Sequence, residues 1–159
     1  MLRRSIPLLL LSLVALPLFA LDPGRAEGVL TTDSVKTPLA YAYMARKVHN
    51  ETSGKNDATK IVLTDKALPE GTNIRNLDYE FPEGIYGIVV CLDREQQPVH
   101  VVVQHPSGVY DGGWLQAEPN VTVRARQVDG ALEGHMRCRS VERPSVTYAF
   151  EAEFAASGQ

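Results

Sequence analysis

The sequence predicts an all-β protein, an antiparallel β-sandwich or partly closed barrel with one short helical turn. Three observations carry this. Residues 86–105 hold two apolar, β-branched runs, Gly87-Ile-Val-Val-Cys-Leu and Val99-His-Val-Val-Val, around a polar Asp93-Arg-Glu-Gln-Gln-Pro loop, which is the pattern of a hairpin. Near the C-terminus Val146, Tyr148, Phe150, Ala152 and Phe154 alternate with polar residues such as Thr147, Glu151 and Glu153, the period of a strand with one face in a core. Turn chemistry separates the apolar runs, as at Asp129-Gly130 and Glu142-Arg-Pro-Ser.

Taken in order, residues 28–32 form a first strand and 33–37 its turn. A second strand covers 39–46, where Leu39, Tyr41, Tyr43 and Ala45 share a face. Residues 49–60 are polar, rich in Asn, Gly, Ser and Asp, and read as a loop before a short strand at 60–65. Residues 66–84 carry Pro69, Gly71 and Pro82 and make a long connection, with one turn of helix around 73–79. The two strands of the 86–105 hairpin are apolar on both faces and belong in the middle of the sheet. Residues 106–119 read as a loop. Strands at 121–128, 132–140 and 146–154 follow, apolar on one face and polar on the other, a wall turned to water.

The N-terminus adds a compartment. Arg3 and Arg4 precede an almost wholly apolar run over 6–21, and small residues follow at Gly24-Arg25-Ala26, with Ala20 as a second cleavage point. This is the layout of a secretory signal peptide. The expected organisation is a signal peptide over 1–26 and a single β-sandwich-like domain over 27–159, periplasmic or secreted. The whole chain has formal net charge −3, and cleavage removes Arg3, Arg4 and Arg25 against one acid, Asp22. An acidic mature domain excludes general nucleic-acid binding as a function class. After cleavage, no second stretch suits stable insertion in a membrane. The two cysteines, Cys91 and Cys138, lie in predicted strands, and an oxidising compartment favours a disulfide between them.

Three phrases, Thr37-Pro-Leu-Ala-Tyr-Ala-Tyr, Val62-Leu-Thr-Asp-Lys-Ala-Leu-Pro and Tyr148-Ala-Phe-Glu-Ala-Glu-Phe, resemble landmarks of a loosely defined set of uncharacterised exported bacterial all-β proteins. The resemblance implies an exported all-β domain and brings no catalytic residue with it.

Side-chain chemistry points to binding more than to catalysis. No Gly-x-Ser-x-Gly elbow and no cofactor motif occurs, so neither catalytic residues nor a cofactor is expected. His100 and His105 are five apart on one strand and point to opposite faces, which does not suit two ligands of one metal. An alternative reading as a metal-binding protein or hydrolase would need His100, His105 and His135 to converge. Tyr110-Asp-Gly-Gly-Trp, with Tyr110, Asp111 and Trp114, is the candidate recognition loop, since loops on a rigid β scaffold commonly carry recognition and Trp and Tyr are favoured contact residues. Trp114 could equally fold back as a core plug. Arg124, Arg126, Arg137 and Arg139, with His135, fall on one sheet face and suggest a weaker site for an anionic partner, unless Glu151 and Glu153 neutralise them across strands. The expected function is an exported, non-catalytic interaction module with a protein or glycan partner in the cell envelope. Inhibition of an exported hydrolase is a further alternative.

Overall fold

The computed structural model describes residues 21–78 and 81–158. Most of the expected signal peptide lies outside the described residues. The protein is all-β. Nine strands form one sheet: β1 Arg25–Thr32, β2 Val35–Asn50, β3 Lys55–Thr64, β4 Gly87–Leu92, β5 Pro98–His105, β6 Gly108–Trp114, β7 Val121–Val128, β8 Ala131–Arg143 and β9 Val146–Gly158. Their order is β6-β5-β4-β3-β2-β1-β9-β8-β7. Every neighbouring pair is antiparallel, and beyond the start of β1 the strands β2 and β9 meet directly in a short parallel pairing, Tyr43 with Ser157 and Met44 with Gly158. The helical content among the described residues is one 3-10 turn, Ile74–Asn76, capped by the Asn73 side chain, which accepts from the Arg75 N–H.

The sheet curls on itself without closing. One apolar cluster collects Leu30, Leu39, Ile61, Leu63, Ile88, Val101, Met136, Tyr148, Phe150 and Phe154, from strands spread over the whole order, so this face is the inside of the curl. The two ends approach each other. The Tyr110 ring of β6 packs on Tyr148 of β9 at 5.1 Å, Arg143 Nε donates to Tyr110 Oη at 2.9 Å, and the Glu118 N–H donates to the Pro98 carbonyl. No ladder joins β6 to β7. The architecture is the predicted partly closed, sandwich-like arrangement.

A second apolar cluster lies on the outer face of β2–β5: Tyr43, Val48, Val62, Val89, Val99 and Val102 are covered by Leu68, Ile74, Leu77, Phe81 and Ile85 of the long connection between β3 and β4. This explains why β4 and β5 are apolar on both faces. Ile88 and Val90 enter the inner cluster, Val89 and Cys91 the outer one. Both strands are central, as their composition predicts.

Four expectations are corrected. The turn expected over 33–37 is only Asp33-Ser34, both at positive φ, and β2 and β3 reach into the expected 49–60 loop, leaving a short tip that Asn50 Oδ1 holds by accepting from the Thr52 and Ser53 N–H groups. The expected 106–119 loop contains β6, an edge strand hydrogen-bonded to β5. The disulfide expected between Cys91 and Cys138 is absent: both are free and buried, Cys91 in the outer cluster and Cys138 in the inner one. Strand parity put them on opposite faces of the sheet, which is the physical reason they do not meet.

Candidate functional site

The register across β2–β6 draws one row of residues over the outer face. Ala45 pairs with Lys60, Lys60 with Cys91, Cys91 with His100, and His100 with Trp114. Trp114 reaches this row through a bulge. Between the pairs Val102–Asp111 and His100–Trp114, β6 carries one residue more than β5, and Gly113 takes up the irregularity at φ +71°. The bulge sets Asp111 and Trp114 on the same face, around His100. His100 Nε2 lies 2.7 Å from Asp111 Oδ1, which also accepts from the Gly113 N–H at 2.8 Å. The His100 and Trp114 rings stack at 4.6 Å with 21° between planes. His100 is buried, and its Nδ1 has no hydrogen-bond partner.

Further along the row, next to Ala45, Lys60 is fully buried, yet its ammonium is satisfied. Nζ donates to the Arg75 carbonyl at 2.7 Å, the Leu77 carbonyl at 3.3 Å and Asp78 Oδ1 at 2.5 Å. This clamps the 3-10 turn and the residues after it onto the sheet. A second bulge, at Lys47 with φ +55°, turns the Lys47 carbonyl outward, where it accepts from Arg75 Nη1 at 2.8 Å. The β2–β3 tip is tied to the end of β6 by Thr52 Oγ1, which donates to the Leu115 carbonyl at 3.1 Å.

These ties enclose an open pocket of about 340 Å³, lined by Lys47, His49, Glu51, Asn56, Arg75, Asn76, Asp78 and Trp114 together with Val48. Its volume sits at the lower end of the ~300–1,000 Å³ usual for small-molecule sites. The lining is polar apart from Val48 and the indole, and it presents cations, carboxylates and amides within one concavity.

The sequence-predicted residues are distributed as follows. Trp114 is half-buried: it packs against the outer cluster and also walls the pocket. Asp111 positions it through His100. Tyr110 faces the other way, packs against the inner cluster and accepts from Arg143, so the predicted triplet does not form one surface. His105 is at the far end of β5, where Nδ1 accepts from the Ser107 N–H, and His135 is on β8 beside Glu151 at 3.1 Å. Among the described residues no group of three His, Cys, Asp or Glu side chains is arranged to hold a metal ion. The arginine face is threaded by acids: Arg126 lies 3.7 Å from Glu133, and Arg137 3.8 Å from Glu151. Arg124 pairs in register with His135, and the Arg139 N–H donates to the Asn120 carbonyl. Burial pushes the Cys91 and Cys138 thiols up to about 12, so neither is a thiolate nucleophile at neutral pH. Lys47, His49, Asn56, Arg75 and Asp78 were not singled out by sequence reasoning. They come from separate segments that only the fold assembles.

No helix among the described residues is long and apolar enough to cross a membrane. Comparison with protein-family models, with curated proteins and with solved structures finds no match.

Proposed function

We propose that this protein is an exported, non-catalytic binding module of the bacterial cell envelope, periplasmic or secreted, and that the pocket walled by Trp114 is its recognition site. The observation that carries this reading is the fixed indole. A half-exposed tryptophan is stacked on a buried histidine, the histidine is held by a carboxylate, and the carboxylate is held by a bulge. Such a preorganised aromatic wall loses little conformational freedom when a ligand covers it. The polar groups opposite supply orientation. The partner is a glycan or protein group small enough to enter the concavity.

Trp114 is the chain's single tryptophan, so its emission reports on the pocket directly. Titrating the purified protein with fractionated envelope extract is expected to give a saturable change in emission that Arg75→Gln weakens. A flat titration, or one that Arg75→Gln leaves unchanged, overturns the assignment of the site. Cell fractionation of a C-terminally tagged chain tests export, and retention in the cytoplasm overturns that part.

A further inference from the structure

Resting on the pocket reading, we infer that the ligand is a singly charged acidic saccharide, a uronic-acid unit whose ring lies against Trp114 and whose carboxylate meets Lys47 and Arg75.

The charges of the lining decide the sign. Of its two carboxylates, Asp78 is engaged by the ammonium of Lys60, which is fully buried and lies 2.5 Å away. That pair is neutral and structural. Lys47, Arg75 and Glu51 remain, all exposed and none in an ion pair among the described residues. Among the described residues the lining therefore carries one net positive charge with His49 neutral. One excess charge matches one carboxylate. It does not match a nucleotide phosphate, whose second charge would sit beside Glu51 uncompensated.

The donors decide the geometry. Arg75 spends Nη1 on the Lys47 carbonyl, which fixes the guanidinium next to the Lys47 bulge and leaves its other N–H groups for a planar, two-oxygen anion. Lys47 is the extra residue of its bulge, so its side chain leaves the strand beside Arg75.

The remaining lining decides the body of the ligand. Asn56, Asn76, His49 and Glu51 offer both donors and acceptors, the complement of a ring bearing several hydroxyls. His49 Nδ1 is within 3.3 Å of Asn56 Oδ1, which orients both side chains along one wall. One face of the indole is covered by His100, and the ring forms part of the pocket wall, an apolar surface of the kind that suits the C–H face of a pyranose. The concavity is open, so an end or an inner unit of a longer chain enters equally well.

The test uses three probes on the purified protein, read by Trp114 emission: galacturonic acid, its methyl ester and uridine monophosphate. The ester keeps the ring and removes the charge. The acid is expected to bind at least tenfold more tightly than the ester, and adding salt narrows the gap. In Lys47→Asn and Arg75→Gln the gap closes. Asn tolerates the positive φ at Lys47, and both positions are exposed, so these variants keep the fold. If either variant loses its folded circular dichroism, the acid-against-ester comparison on the wild type alone decides. Equal affinity for acid and ester, or binding of the nucleotide only, overturns the inference and leaves the pocket reading standing. No response to any probe while envelope extract still titrates the indole does the same. Silence toward both the probes and the extract overturns the two together.

Discussion

The buried lysine gives the sharpest test of how the site is held. Lys60 has no exposure, while the Asp78 side chain keeps about a third of its own (34 %). Replacing Asp78 by Ala leaves a buried ammonium with two carbonyl acceptors, from Arg75 and Leu77, and no counter-charge. Breaking a fully buried pair from one side costs about 3–5 kcal/mol. Because Asp78 is partly solvated and the carbonyls persist, the expected cost here is about 2–3 kcal/mol. Lys60→Met keeps the apolar stem and removes the charge. Asp78 then turns to water, and the loss is two carbonyl bonds that solvent partly replaces, about 1–2 kcal/mol. The double variant should be no worse than Lys60→Met alone, so the two changes are strongly non-additive. Urea unfolding of the four proteins measures this cycle. Two results would refute the reasoning: Asp78→Ala milder than Lys60→Met, or costs that simply add. Trp114 emission under native conditions should also shift in Asp78→Ala, since the clamp shapes the pocket wall.

Other outcomes follow from the same geometry. Without reductant, the unfolded protein should titrate as two thiols per chain and the native protein at neutral pH as none, because both cysteines are free, buried and protonated. Their folded pKa values, about 12 against an ordinary 9.0, mean that the neutral form is favoured by folding. That contribution is complete below pH 9.0 and is lost as pH rises toward 12, so urea midpoints should fall across this window, and less so in Cys91→Ala measured against its own neutral-pH value. Gly134→Ala should cost about 3 kcal/mol, because a Cβ there would lie 2.2 Å from the Arg124 carbonyl oxygen in the neighbouring strand, whereas Gly158→Ala, with open space around it, should be near neutral in the same denaturation assay. If the chain is exported as proposed, N-terminal sequencing of the mature form should read from Leu21 rather than from residue 27. Ala26 is in β1, registered with Phe154, and Gly24 in the turn before it donates to the Ala155 carbonyl, and cleavage after Ala26 would strip both contacts.

Much of the fold is legible along the chain because strand periodicity is local. The alternation from Val146 to Phe154 and the Asp129-Gly130 turn, both of its residues at positive φ, appear where the sequence puts them. The two-sided apolarity of β4 and β5 announces central strands. The expected loop at 106–119 failed for a definable reason. Gly112 and Gly113 read as turn residues, yet in β6 they form a bulge inside a ladder, a use of glycine that local composition does not separate from a turn. The polar 49–60 stretch likewise became strand, since the long hairpin of β2 and β3 extends beyond the core it starts from and its end needs no apolar residues. The arginine face was half legible. Glu151 falls opposite Arg137 as cross-strand reasoning expects, but Glu133 as a partner of Arg126 depended on the register of β7 against β8.

The site divides in the same way. The all-β class, the central hairpin, the turn chemistry and one tryptophan preceded by two glycines are written in the chain locally, because each follows from periodicity or from the backbone freedom of single residues. The folded arrangement is needed to see that Cys91 and Cys138 lie in separate clusters, that Tyr110 turns away from Trp114, and that Lys47, Arg75 and Asp78 join the indole around one pocket. Those facts depend on register across five strands and on a long connection folded back over the sheet. Such pairings are set by the fit of segments far apart in the chain, and no single segment carries them.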